Sequence, residues 1–413
     1  MARPSDHVSE QRLWDRHMAI AKFGATGHGG VNRQALTPED GMARATLAGW
    51  AAERGFCLIA DEAGNLFVRR DGTDPDAPAV LSGSHLDTQP AGGNFDGIYG
   101  VLSAFETLEA LEDAGLSHTR PIEAVVWTNE EGCRFAPGCT GSLVFSGKHS
   151  IEEFLDGTAP DGAILRDELE RTLEMTPGAE KRRGGIPVAG YIESHIEQGP
   201  RLESEGITIG AVTGIQGGSS FEVTVTGMDG HAGTVPLQQR RDAFRSAHAI
   251  IDALHKDLAD PKDTVRFTVG RFEAHPGSPN TIPGKVIFTI DFRHPDQEFF
   301  RSKVEAMAEF CAAHAGPCEV VVQKRHAGDP ADFDDAVIAR IQRIAGELDI
   351  PAMRMPSGAD HDAKYMVPLC PTGMIFVPCD GGISHNEAEM AKASDLAAGA
   401  RVLADALYEM ANS

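Results

Sequence analysis

The run Gly83 to Gly97, GSHLDTQPAGGNFDG, puts His85, Asp87 and Asp96 within one glycine-rich stretch. An imidazole and two carboxylates held at the edge of a sheet suit a hard-to-borderline cation such as zinc or manganese. A histidine that binds metal through one ring nitrogen needs the other fixed. Asp87, expected two residues on along the same strand face, is placed to fix it. The preceding Ala79-Val80-Leu81 reads as the end of a buried strand, and the run itself as too polar to pack as core. A polar loop in which the same side chains cap turns is the other reading of this stretch alone.

Three further stretches carry groups of the same kind. The apolar strand Ile122 to Thr128 is followed by Asn129, Glu130, Glu131 and Gly132. Two adjacent carboxylates at a strand's end point in different directions, so one can bind a cation while the other stays free as a base. Tyr191 to Gly199, YIESHIEQG, sets polar groups, His195 among them, into a strand-like segment, and Gly381 to Glu387, GGISHNE, puts His385 into a glycine turn. Taken singly, the glutamates also read as a solvated loop and each histidine as structural. Together, His85, Asp96, Glu131, His195 and His385 have the composition of a dinuclear zinc-type centre, with an aspartate able to bridge. Their spacing leaves open whether they converge.

The elements that must position these groups read as α/β. Helices are expected over 6–24 and 38–55, the second with Thr37 as N-cap and Pro38 in its first turn. Strands follow near 57–60 and 65–70. Val101, Leu102, Phe105, Leu108 and Leu111 recur at helical spacing before Gly115. Strand, polar loop, helix, strand is an order whose sites gather where strands end. Residues 213–327 change rhythm: strand 219–227, helix 237–258, strands 264–273 and 284–293, helix 296–315 and strand 318–325. This βαββαβ order is that of a ferredoxin-like domain. The chain then returns to α/β character, with helices near 334–348 and 391–411 and a strand at 372–377. The expectation is a discontinuous catalytic domain, 1–212 and 328–413, with 213–327 inserted.

Composition narrows the partners. The 413 residues carry 61 acidic and 37 basic side chains, a formal net charge of −24, which repels phosphate backbones and anionic membrane surfaces. Nucleic acid and membranes are therefore not expected as partners. Seven cysteines form no CxxC pair and are odd in number, which argues against a disulfide framework and for a reducing compartment. The N-terminal MARPSDHVSEQRLWDRH lacks an apolar core, and no apolar run approaches the roughly 18 residues of a membrane span. A soluble cytoplasmic protein is expected.

The runs GSHLDTQPAGGNFDGIYGVL, TNEEGCRFAPGCTGS, YIESHIEQGPRLE, GMDGHAGTVPLQQRRDA, Asn280-Thr281-Ile282-Pro283, DFRHPD, PSGADHDA and ISHNEAE occur in this order from about residue 80 to 390. Together they resemble the N-carbamoyl-L-amino-acid hydrolase and allantoate amidohydrolase group of the dizinc aminoacylase and carboxypeptidase superfamily. The resemblance implies two divalent metal ions per subunit: His85 and His195 on one, Glu131 and His385 on the other, Asp96 bridging. Asp87 resembles the residue that orients His85. Glu130 resembles the general base that deprotonates the metal-bridging water and hands the proton to the leaving nitrogen. His231 resembles a histidine on an inserted lid and dimerisation domain that reaches the partner subunit's site. Asn280 and Arg293 match lid residues that grip the substrate carboxylate, a task suited to the two-pronged guanidinium. Gln198 and Gly358 resemble substrate contacts. A histidine at position 195, rather than a carboxylate, points to the carbamoylase branch.

The implied protein is a homodimeric amidohydrolase that cuts a linear C–N bond. Its expected substrate is an N-carbamoyl-L-amino acid, released as amino acid, carbon dioxide and ammonia. Allantoate and N-carbamoyl-β-alanine are the close alternatives; an aminoacylase or peptidase, or a binding protein without turnover, is more distant. The same donors accept zinc, manganese, cobalt or nickel.

Overall fold

The computed structural model describes residues 3–413. Two compact units divide the chain: Met1–Thr213 with Asp332–Ser413, and Gly214–Ala331. The first is therefore discontinuous in sequence and the second is contained within it.

The first unit is built on a ten-stranded mixed sheet. At its centre run four parallel neighbours, in the order Thr372–Val377, Val188–Ile196, Ala79–His85 and Ile122–Trp127. Both faces are covered, and three of the four are buried along their whole length, the pattern expected of parallel strands under helices. The helix Ile98–Asp113 is buried almost throughout, and with Ala393–Ala411 it packs against this part of the sheet. Because the four strands are parallel, their C-terminal ends lie along one edge. His85 closes one, Glu130 and Glu131 follow another, His195 lies one residue from the end of a third, and the loop with His385 follows the fourth.

Two expectations need correction here. The helix over 6–24 is instead a short turn, Pro4–His7, and a separate helix, Glu10–Ile20. The Ser9 hydroxyl accepts from the Arg12 N–H at 3.2 Å and so starts a new helix within the expected one. The polar residues after Leu81 do pack as core: the strand runs on to His85, with Ser82, Gly83 and Ser84 all buried. Small side chains suit the space, and Ser84 satisfies its hydroxyl by donating to Glu193 Oε1 at 2.7 Å.

The second unit has a five-stranded antiparallel sheet. Gly217–Thr226 lies between Glu319–Gly328 and Lys285–His294, and the latter pairs on its far side with Arg266–Thr268 and Phe272–His275. Phe221, Val223 and Val225 alternate inward with Phe288, Ile290 and Phe292 on the neighbouring strand, as a period of two requires. The helices Ala243–Asp257 and Gln297–His314 cover that face through Ala247, Ile250, Leu254, Phe300, Met307 and Cys311. Asp242 and Asp296 cap them. The single strand expected at 264–273 is divided at Val269-Gly270-Arg271, where the Thr289 hydroxyl accepts from the Arg271 N–H at 3.0 Å.

Candidate metal centre

His85 ends its strand with Nδ1 on the Asp87 carbonyl at 2.8 Å. That bond assigns the proton to Nδ1 and leaves the Nε2 lone pair available. Here the sequence reading needs a change. Asp87 lies beyond the strand, and its carbonyl rather than its carboxylate makes the short contact, the carboxylate standing at 3.9 Å. The Asp87 carboxylate instead accepts from the backbone N–H groups of Glu130 (3.3 Å) and Glu131 (3.2 Å). One residue thus holds the imidazole with its main chain and the two glutamates with its side chain.

The strand Ile122–Trp127 is turned sharply at Asn129, whose φ of 57° is left-handed. The Asn129 amide secures this by donating to the carbonyls of Phe135 (2.6 Å) and Pro137 (3.1 Å) and to the Thr140 hydroxyl (2.8 Å). Glu130 and Glu131 leave the turn in different directions. Glu130 Oε2 stands 3.5 Å from His85 Nε2, and Glu131 Oε2 3.6 Å from His385 Nε2. Gln89 holds Glu131, its side-chain amide on Oε2 at 2.6 Å and its backbone N–H on Oε1 at 3.1 Å.

Asp96 lies between the two sides. Its Oδ1 is 3.2 Å from His195 Nε2 and 3.8 Å from His85 Nε2, while its Oδ2 is 3.2 Å from His385 Nε2. Gly97 makes the close approach possible: its φ is +71°, and a Cβ there would lie 2.3 to 2.4 Å from the His85 ring. His195 Nδ1 is held on the Ile196 carbonyl at 2.9 Å, which again directs Nε2 toward Asp96. Two of the three donor groups among the described residues share Asp96, His85–Asp96–His195 and Asp96–Glu131–His385, and the third is Glu193–His195–His361, each with its ligand atoms within 4.8 Å of one another. Nitrogen and oxygen donors in two sets sharing one carboxylate fit a pair of divalent cations.

Burial and neighbouring charge shift the titration of every donor, and hydrogen bonding to Asp96 raises His195, despite its burial, and His385 each to about 9. Burial raises Glu130 well above the ordinary carboxylate range, with Asp362 and Glu131 adding to the effect. Burial likewise pushes Glu131 up to about 8, helped by Asp96, and Asp87 up to about 7, helped by Asp40. Burial would raise Asp96 too, but hydrogen bonding to His195 and His385 outweighs it and holds Asp96 well below its usual value. Burial lowers His85 to about 4, so its imidazole is neutral and able to ligate. Crowded carboxylates disfavour one another's ionisation, and divalent cations between them would relieve the repulsion.

Sequence reasoning missed a layer beneath these groups. Glu193 is fully buried, accepting from Ser84, from Tyr191 (3.2 Å) and from the Ala363 N–H (2.9 Å). His361 packs with its ring 4.5 Å from that of His195 and holds the Ser357 hydroxyl at 3.0 Å. Buried Asp362 accepts from Ser142, and buried Glu389 lies behind Asp96. The runs YIESHIEQG, PSGADHDA and ISHNEAE contained the signal. Nothing local marks which acidic residue in them faces inward.

Of the expected substrate contacts, Gln198 meets the centre, donating from Nε2 to Asp96 Oδ2 at 3.0 Å from a left-handed backbone with φ 57°. Gly358 is exposed in the loop after the strand Ala352–Ser357. His231, Asn280 and Arg293 belong to the second unit. There His231 is exposed and pairs across two short strands with Thr281, next to Asn280, whose carbonyl accepts from the Ala232 N–H at 2.9 Å. The Arg293 guanidinium lies on Asp291 of its own strand, Nε to Oδ1 at 2.8 Å.

Sheet, strand-end loops and clustered donors are those of a metal-dependent hydrolase. The chain belongs to peptidase family M20/M25/M40, whose family model matches residues 81–409. It is 40% identical to an N-carbamoyl-L-amino-acid amidohydrolase of Rhizobium meliloti, over 100% of this chain and 99% of that protein. It is 32% identical to an allantoate amidohydrolase of Bacillus subtilis, over 95% of each. Among solved structures, an amidase of the hydantoinase/carbamoylase family from Burkholderia multivorans shares 42% identity and superposes with a TM-score of 0.92, over 98% of this chain and 99% of that one.

Proposed function

We propose that this protein is an amidohydrolase cleaving a C–N bond of a small linear ureido carboxylate, with an N-carbamoyl-L-amino acid as its substrate. The observation that carries the reading is Asp96, which presents one oxygen to each of two donor pairs while Glu130 stands unshared beside them. The full-length likeness to the Rhizobium meliloti enzyme supports the substrate class.

His85, His195 and Asp96 would hold one cation, and Glu131, His385 and Asp96 the other. When bound, the pair polarises a carbonyl and acidifies water. Glu130 receives the proton of the attacking water on its carboxylate and delivers it to the departing nitrogen, a task suited to a carboxyl that burial holds above its ordinary range. Asp87 keeps the Glu130 and Glu131 main chain in place. Gln198 and Gly358 contact the substrate. Arg293 exchanges Asp291 for the substrate carboxylate, with Asn280 assisting.

The second unit acts as a lid and as the dimerisation domain. Its strand order supports a ferredoxin-like fold. Leu237, Phe244 and Phe272, exposed on this unit, support burial against a second copy. His231 reaches the partner's site from that lid and donates to the oxyanion, a contribution of roughly 3 kcal/mol for such a donor. Zinc suits the donors, and manganese, cobalt or nickel would also bind. Seven free cysteines favour the cytoplasm. No helix among the described residues is long and apolar enough to cross a membrane.

The test is a panel of N-carbamoyl-L-amino acids, allantoate, N-carbamoyl-β-alanine and N-acyl amino acids, offered to protein loaded with zinc, manganese or cobalt. Ammonia release from a carbamoyl amino acid is expected. Allantoate is the second reading, supported by the Bacillus subtilis relative. Cleavage without ammonia marks an aminoacylase or peptidase, and inactivity with every metal marks a binding protein.

A further inference from the structure

Glu389 follows His385 in the same loop and is only 2% exposed. Its Oε1 accepts from two successive backbone N–H groups, those of Phe95 at 2.9 Å and Asp96 at 3.1 Å. Its Oε2 accepts from the Ser384 hydroxyl at 3.0 Å. Ser384 also stands 3.2 Å from Asp96 Oδ2, so its single proton serves one of the two carboxylates at a time. Gln198 Nε2 closes the circuit, at 3.0 Å from Asp96 Oδ2 and 3.2 Å from Ser384 Oγ. Room for the carboxylate is made by Gly93, where a Cβ would lie 2.0 Å from Glu389 Oε1.

A buried carboxylate is costly unless its lone pairs are met. Glu389 meets them almost wholly with groups of the Asp96 and His385 loops, which are nearly 300 residues apart in the chain. These loops supply the bridging donor and the terminal donor of one cation. Fixing the Asp96 main chain fixes which oxygen turns to His195 and which to His385, and a bridging ligand depends on that aim more than a terminal one does.

We propose that Glu389 is the positioning residue of the bridging carboxylate: it clamps the Asp96 main chain to the His385 loop, so that the two oxygens of Asp96 serve two cations at once. The inference rests on the dinuclear reading above. Glutamine at this position would keep the clamp, its oxygen taking both N–H groups and its amide donating to Ser384, which then turns its proton to Asp96. Alanine removes both arms, and aspartate is one methylene too short to span them.

The experiment titrates the full-length chain, stripped of metal, with zinc against a chromophoric chelator. Wild type should take up two equivalents. Glu389→Ala should weaken at least one of them by roughly 10- to 100-fold, Glu389→Asp should weaken it by less, and Glu389→Gln should bind close to wild type. The inference is overturned if folded Glu389→Ala or Glu389→Asp binds both equivalents as wild type does, or if Glu389→Gln fails as badly as alanine. A wild-type chain that takes up fewer than two equivalents overturns the dinuclear reading, and this inference with it.

Discussion

Glu130 and Glu131 are chain neighbours with identical side chains, 10% and 5% exposed, and their surroundings separate them. Gln89 occupies both oxygens of Glu131, whereas Glu130 faces His85 on one side and the Cys139 thiol, 3.7 Å away, on the other. Glu130→Gln should therefore retain both cations yet lose about 100- to 10,000-fold in kcat. Metal content and turnover measured on one preparation check this, and retained turnover removes Glu130 as the base. Arg293→Lys keeps the charge but loses the fork. Its KM should rise for a free carboxylate and stay unchanged for the esterified analogue, and an equal rise on both counts against the grip. The donors of the centre were legible through the ordered set of runs that carries the family resemblance, since each taken singly also reads as a turn cap or a structural histidine. Glu193, Asp362 and Glu389 were not, because their partners Ser84, Ser142 and Asp96 lie more than a hundred residues away in the chain. A carboxylate's burial is decided by such remote contacts.

Among the elements, the buried strands and long helices could be read from apolar runs and spacing, and Thr37 caps Pro38–Glu53 as its type suggests. What escaped were changes decided by single hydroxyls: Ser9 dividing an expected helix, and Ser84 carrying a strand on through polar residues. The helix Glu10–Ile20 also contains a liability. His17 is fully buried against Phe95 and Tyr99, its Nδ1 on the Leu13 carbonyl and its Nε2 without a partner. Burial lowers it to about 4 from 6.5. Between those values the unfolded chain binds the proton and the folded chain does not, so stability falls as pH falls. His17→Phe keeps the ring contacts and removes the titration. Urea unfolding of both proteins at pH 7.5 and pH 5 should show the variant losing about 2 kcal/mol less on acidification. Equal losses would mean that His17 is protonated in place.

For the molecule as a whole, cations bound only by the folded chain would stabilise it by mass action. A chelator should lower the melting temperature, zinc should restore it, and Asp96→Asn should blunt both responses because it weakens the shared donor. A melting curve indifferent to chelator would sink the dinuclear reading. The proposed sharing of a site between subunits is tested by mixing Glu130→Gln chains, whose His231 is intact, with His231→Ala chains, whose Glu130 is intact. Heterodimers should regain activity that neither parent has, and a mixture no better than its parents speaks against a histidine given in trans.

The placement of Thr372–Val377 between Val188–Ile196 and Ile209–Ile215 reaches beyond the finished protein. A ribosome delivers those two flanking strands long before the one that fits between them. Until residues 372–377 emerge, a slot with two raw edges stands open in the nascent sheet, ready to pair with the wrong chain. Arrival of residues 372–377 is then the step that closes the slot and removes this route to aggregation. Stop codons or nicks just upstream of residue 372 should yield inclusion bodies rather than a soluble fragment.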